Sequence, residues 1–218
     1  KITDLDKQIW EEELASFVPK KIYDIHTHIY QWKFNLDNKK ELGPYQYQGK
    51  YFPEVSMKAA NLVDKIMMPA RKVSRLSFPF PYNYPCDFDS SNNYLASEVL
   101  KNTGSFGLIL INPNMKGNEI EKTIIKSNAI GFKPYRVYSK TGDSVNARIT
   151  DFMPEQQIKI AEKYGLIIMM HLSKKDAIAD NENISDIIRL SGKYPNVKWI
   201  LAHCARSYSA WAIEKAAK

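Results

Sequence analysis

Cysteine is nearly absent: Cys86 and Cys204 are the only two in 218 residues. Two such thiols make neither a disulfide framework nor a zinc-type cysteine pair. A reducing compartment, the cytoplasm, is the simplest reading. Apolar runs long enough to cross a bilayer are missing too, which excludes a membrane-spanning helix. The N-terminal stretch KITDLDKQIWEEELASFVP is acidic and amphipathic, unlike a signal peptide, although a start at Lys1 rather than methionine is compatible with a removed leader. The sequence has no glycine pattern that cradles phosphate and no nucleophile elbow. It has no low-complexity tract and no clean boundary for a second domain. A dense basic stripe is also lacking, although the net charge is +7. The basic residues are spread, as in KPYRVYSK and PARKVSR. A solvated basic surface explains this best, and a substrate bearing carboxylates is the functional alternative. Nucleic-acid binding ranks last, because no motif supports it.

What is present is a rhythm. At 44% hydrophobic and 25% charged residues, the chain can build one sizeable core. Apolar runs of β type lie at 22–28, 74–79, 106–112, 129–134, 166–172 and 197–203. Helical patterns lie between them at 55–68, 92–101, 118–127, 153–164 and 184–193, with another helix starting after Ser207. This alternation means a parallel sheet, and near-continuous apolar strands such as GLIIMMH mean that both faces are buried. The strand-to-helix loops are long and rich in aromatic and polar residues, the longest covering 29–54, whereas the helix-to-strand links are short. In an α/β barrel the long loops build the active face, at the carboxyl ends of the strands.

The four histidines sit on that same side. His26 and His28 end the first run in IYDIHTHIY, His171 ends LIIMMH, and His203 ends VKWILAH. Residues i and i+2 of a strand share a face, so His26 and His28 can bind one cation. One histidine alone is more often a hydrogen-bonded core residue, but four at strand ends propose a metal-dependent enzyme. Asp24 shares the parity of His26 and His28 and is expected one layer deeper. There it serves either as a hydrogen-bond partner of a ligand or as a polar residue in the barrel floor.

YDIHTH, GFKP, MMHLS and ILAHCAR on successive strands resemble the amidohydrolase superfamily. The branch they resemble most is the amidohydrolase-2 type, which includes relatives of aminocarboxymuconate semialdehyde decarboxylase. The resemblance runs from about residue 8 to the end. It implies a (β/α)₈ TIM barrel, with His26, His28 and His171 as metal ligands. It gives His203 either to a second metal or to an acid–base or substrate-polarising role. The metal would be zinc, with manganese next. Such a barrel carries a metal-binding aspartate on strand eight. About six of the eight β/α units fit into residues 1–218, so strands seven and eight are expected beyond Lys218.

Lys133 ends strand four in GFKPY. In some members of the superfamily a lysine there is carboxylated and bridges two metals; a substrate-contacting ammonium and a structural lysine are the other readings. Arg136 and Arg206 stand just past strands four and six, where each either holds a substrate carboxylate or decorates the surface. Tyr135 and Tyr138 share the Arg136 loop as substrate contact or as packing. The parity of Cys204 aims it away from His203, which reads as a small buried residue. Tyr30, Trp32, Phe34, Tyr45, Tyr47 and Tyr51 crowd the loop at 29–54, as a lid over a pocket or as a contact between subunits of a homo-oligomer.

The reading is a single barrel domain acting as a metal-dependent hydrolase on a small, acidic substrate. His203 and Lys133 would serve catalysis, and Arg206, Arg136 and Tyr135 would bind substrate. A decarboxylase, or a lyase or isomerase of an acidic sugar, is the rival within the superfamily. A silent metal- or ligand-binding barrel is the rival outside enzymes.

Overall fold

The structure is a computed structural model that describes residues 2–37 and 46–217. A short N-terminal helix, α1 (Asp4–Ile9), carries a Thr3/Asp6 capping box and runs into a wider turn at Trp10–Leu14. Then come β1 (Lys21–His28), β2 (Tyr30–Gln31), α2 (Gln46–Tyr51), β3 (Glu54–Val55) and α3 (Met57–Met67). Next are β4 (Lys72–Phe78), α4 (Phe88–Val99), β5 (Phe106–Ile111), α5 (Gly117–Ser127) and β6 (Gly131–Pro134). The chain continues with α6 (Ile149–Phe152), α7 (Glu155–Tyr164), β7 (Ile167–Met170), α8 (Asn181–Lys193), β8 (Lys198–Leu201) and α9 (Ala210–Ala217).

The six longer strands fall on the six apolar runs. They pair in parallel in the order β1-β4-β5-β6-β7-β8 and curl into a partial (β/α)₈ barrel. Alternate residues of each strand serve two layers. Ile109, Ile111, Phe132, Ile168 and Met170 face outward and meet Ile120, Ile124, Ile158 and Leu190 of the covering helices. Leu76, Phe78, Leu108 and Met169 face inward and fill the concave side. β6 and β7 approach so closely that a Cβ on Gly131 would lie 2.0 Å from the Ile167 carbonyl oxygen, so only glycine fits there.

Capping sets the helix starts. The Asp87 carboxylate accepts the Ser90 N–H, which brings α4 forward of the apolar pattern at 92–101. Asp180 does the same for α8 by accepting from Glu182 and Asn183. Gly165, at φ +60°, ends α7 in the left-handed conformation that favours glycine. Among the described residues, no helix is long and apolar enough to cross a membrane.

Part of the 29–54 loop is a packed structure. β2 pairs antiparallel with β3. Tyr30 and Phe34 are buried with Phe80, Tyr82, Phe88 and Tyr138 in an aromatic cluster beside the barrel mouth, and Trp32 packs against it. Tyr51 is exposed. Tyr45 lies outside the described residues, as does the side chain of Tyr47.

The first strand departs from simple alternation. Asp24 is paired with Arg75, but Thr27 is paired with Ser77, so Ile25 and His26 together oppose Leu76. This one-residue bulge reverses the facing of the strand. Asp24 therefore sits on the helix side, against Arg75 of β4 and close to Asp64 of α3, whereas His26 and His28 face the concave side. The expectation that Asp24 lies one layer below the histidines is corrected: the bulge turns it to the opposite face.

Candidate active site

At the carboxyl ends of the strands lies a cavity of about 380 Å³. Its wall includes His26, His28, His171 and His203, together with Phe80, Tyr135 and Arg136. Each histidine arrives from a strand end. The His26 ring is 5.5 Å from the His28 ring and 4.5 Å from the His203 ring, centroid to centroid, and His171 is 5.2 Å from His203. A bridge between Tyr135 and His171 continues the β6–β7 pairing by one residue and fixes the height of His171. Three of the four thus follow from strand geometry.

His203 is placed differently. From His203 to Arg206 the backbone lies in the left-handed region, with φ near +58°, +49°, +57° and +57°. Non-glycine residues adopt this conformation at a cost of roughly 1–2 kcal/mol each. The turn presents the His203 ring to the cavity and leaves Cys204 exposed, which corrects the expectation that Cys204 is buried.

The electrostatics are uniform. Burial, joined by the charge of Lys133 and by His203, lowers His26 to about 4. Burial and the neighbouring His26 lower His28 to about 3. Burial and Lys133 lower His171 to about 3, and His203 is lowered by burial, then by Lys133 and Arg206. All four imidazoles are therefore neutral at pH 7, the form that binds a metal. His28 places Nδ1 3.1 Å from the Pro79 carbonyl oxygen. A donated Nδ1–H there leaves the Nε2 lone pair free to bind. His171 Nδ1 is buried without a hydrogen-bond partner among the described residues.

Lys133 is fully buried, and its Nζ also lacks a hydrogen-bond partner among the described residues. It lies 5.3 Å from the Phe78 ring centroid and 5.0 Å from that of Tyr135. Burial lowers its pKa to about 7.

The two arginines part company. Arg136 lines the cavity, with Nη1 donating to the Ser144 carbonyl at 2.6 Å. Arg206 stands behind the wall: its Nη1 donates to the carbonyls of Leu172 at 2.6 Å and Lys174 at 3.4 Å, and its Nε to Tyr208. Tyr135 is buried in the wall, while Tyr138 donates to the Tyr82 carbonyl within the aromatic cluster. Phe80 and Ser144 also line the cavity. Nothing in sequence distinguished them, apart from the position of Phe80 just past strand β4.

The donor chemistry fits a divalent ion: neutral imidazoles, one tautomer set by a carbonyl, and one buried nitrogen without a partner. Among the described residues, no group of three His, Cys, Asp or Glu side chains already stands in metal-holding geometry. The four rings share a cavity but do not converge on one point.

Comparison with known proteins gives the same architecture. Among solved structures, 2,6-dihydroxybenzoate decarboxylase in complex with 2,6-dihydroxybenzoate aligns at TM-score 0.51 and 11% identity, over 83% of this chain and 65% of that one. A protein from Staphylococcus aureus, described as a candidate amidohydrolase, aligns at 0.51 and 12% identity, over 83% of this chain and 65% of its own. An uncharacterized TIM-barrel protein from Bordetella bronchiseptica aligns at 0.50 and 11% identity, over 90% and 71%. At such identities the likeness shows the fold. The chain spans about 65% of the length of the first two. No curated protein matches it. The family profile described as amidohydrolase matches residues 23–218. Proteins of that superfamily are generally dependent on divalent metals. By that match, which runs from within β1 to the last residue, the chain belongs to the amidohydrolase family, of the amidohydrolase-2 type.

Proposed function

We propose that this chain carries the metal-binding part of a hydrolase that acts on a small, carboxylate-bearing substrate. The observation that carries the reading is one cavity lined by four histidines, all with lowered pKa values, and by Arg136. His26, His28 and His171 would hold a divalent ion, zinc first and manganese next. Such an ion acts as a Lewis acid, polarising the scissile group and lowering the pKa of water to about 7.

The remaining work falls to side chains. Arg136 orients the substrate carboxylate, as the arginine that lines the cavity. Phe80 and Tyr135 exclude water and bracket an apolar body. His203 handles a proton at its imidazole, which is presented to the cavity by the left-handed turn. Lys133, with its pKa near 7, adds positive potential beneath the site without occupying the cavity. Arg206 shapes the β7 loop through its carbonyl contacts.

The test is a paired comparison of kcat/KM on acidic substrates and on their neutral amide or ester analogues. Arg136→Met should cost the acidic compounds about 2–5 kcal/mol, the price of an unpaired buried carboxylate, and spare the neutral ones. Arg206→Met should affect both kinds alike. Equal loss on both kinds in Arg136→Met would remove the acidic substrate from the account. Non-oxidative decarboxylation is the second reading. It is favoured by Phe80, Tyr135 and Arg136 lining one cavity, which suits an aromatic acid, and by a structural neighbour that is a 2,6-dihydroxybenzoate decarboxylase. Carbon dioxide release from hydroxybenzoates, set against hydrolysis of amides and esters, separates the two.

A further inference from the structure

On the helix side of β1, on the face opposite His26 and His28, lies a charged cluster that the proposed chemistry does not use. Arg75 is 5% exposed, yet it meets two carboxylates. Its Nη1 donates to Asp24 Oδ2 at 2.8 Å and to Thr27 Oγ1 at 3.2 Å. Its Nη2 bonds Asp64 of α3 and the Ala60 carbonyl. Asp24 in turn accepts the backbone N–H of His26 at 3.0 Å and the hydroxyl of Thr27. The bonds among Arg75, Asp24, His26 and Thr27 span the bulge in β1, and those to Asp64 and Ala60 tie Arg75 to α3.

Without the bulge, Asp24, His26 and His28 would share one face. With it, the aspartate turns outward and both imidazoles turn inward. A bulge of this kind leaves its extra residue without a ladder partner, so its shape needs support from side chains. Asp24 supplies that support by bonding the His26 N–H, and Arg75 anchors Asp24 to the helix layer.

We infer that Asp24 and Arg75 form a clamp that sets the β1 bulge and thereby aims His26 and His28 into the cavity, as positioning residues. The inference rests on the proposed metal site for its functional meaning, but the clamp itself is visible without metal. Asp24→Ala is the primary variant, because it leaves Arg75 paired with Asp64 and the fold supported. Asp24→Asn keeps the acceptor for the His26 N–H.

Two measurements apply, both on the whole chain. The first is NMR of the four histidine rings in metal-free protein, each assigned by substitution. Asp24→Ala should shift the His26 and His28 resonances and leave that of His171 in place. The second is titration with Co²⁺, read by its absorption. Affinity should fall about 10–100-fold in Asp24→Ala, the range for lost supporting bonds to metal ligands, and largely return in Asp24→Asn. If Asp24→Ala does not fold, Thr27→Val removes one strut and should give the same pattern in weaker form. Unchanged His26 and His28 resonances with Co²⁺ affinity within twofold of wild type would overturn the clamp. So would an equal disturbance of all four histidines with no recovery in Asp24→Asn, which marks a merely structural role. Wild type that binds no Co²⁺ at all would overturn the proposed function, and the clamp would then be judged on the resonances alone.

Discussion

Replacing Lys133 by methionine should stabilise the chain. The side chain is fully buried, and its amine has no hydrogen-bond partner among the described residues. Burial takes its pKa from the ordinary 10.5 to about 7. At 1.36 kcal/mol per pKa unit, that drop corresponds to about 5 kcal/mol held against the charged form. The sign follows from proton binding. Between pH 7 and 10.5 the unfolded chain holds the proton and the folded chain releases it, so stability rises with pH across that window. The penalty is fully present below pH 7 and gone above 10.5. Methionine keeps the unbranched shape and removes the charge. In metal-free protein at pH 7, Lys133→Met should therefore gain up to about 5 kcal/mol, less whatever the two flanking rings return by cation–π attraction of roughly 0.5–2 kcal/mol. With a urea slope of about 1–3 kcal/mol/M, the midpoint should move up by more than about 1 M, and the gain should shrink toward zero by pH 10.5. Activity should fall as stability rises, the usual exchange at a strained site. A variant no more stable than wild type at pH 7, or a gain that does not depend on pH, would refute the reasoning.

Two further outcomes are expected. His203→Asn should keep most of the bound metal while kcat falls about 10²-fold or more; loss of all metal would move His203 into the ligand set, and full activity would make it structural. Glu155 accepts from Lys193 at 2.5 Å, Tyr194 at 2.7 Å and Arg189 at 2.5 Å, and these bonds lower its pKa to about 2. Its contribution is present above pH 4.5 and lost as the pH falls toward 2. Glu155→Gln should therefore cost about 1 kcal/mol in thermal or urea unfolding at pH 7 and nothing at pH 2, a loss kept small by solvent screening.

The strands were legible because parallel strands buried on both faces need near-continuous apolar runs, and 106–112 or 166–172 have few other uses. The gathering of His26, His28 and His171 at one mouth was legible for the same reason, since each ends such a run and parallel strands end on one side, whereas His203 reaches the mouth through the left-handed turn after β8. The facing of Asp24 was hidden, because alternation carries no sign of an extra residue and the residues that stabilise the bulge, Arg75 and Asp64, are remote in sequence. Cys204 was misread similarly, since the left-handed turn at 203–206 contains no glycine to announce it. Arg136 and Arg206 looked equivalent from their positions past strand ends. The structure distinguishes them: Arg136 lines the cavity, whereas bonds to the carbonyls of Leu172 and Lys174 hold Arg206 away from its lining. Tyr30 and Phe34 proved to be core residues because β2 and β3 fold their loop back onto Phe80 and Tyr82.

The central claim is that His26, His28 and His171 hold a divalent ion. Elemental analysis of purified wild type, His26→Ala and His171→Ala, each normalised to folded protein, tests it most directly. The account predicts stoichiometric zinc or manganese in wild type, removable by chelator, and a large loss in both variants. Metal content unchanged in both variants, or a wild type that carries and accepts none, would contradict it.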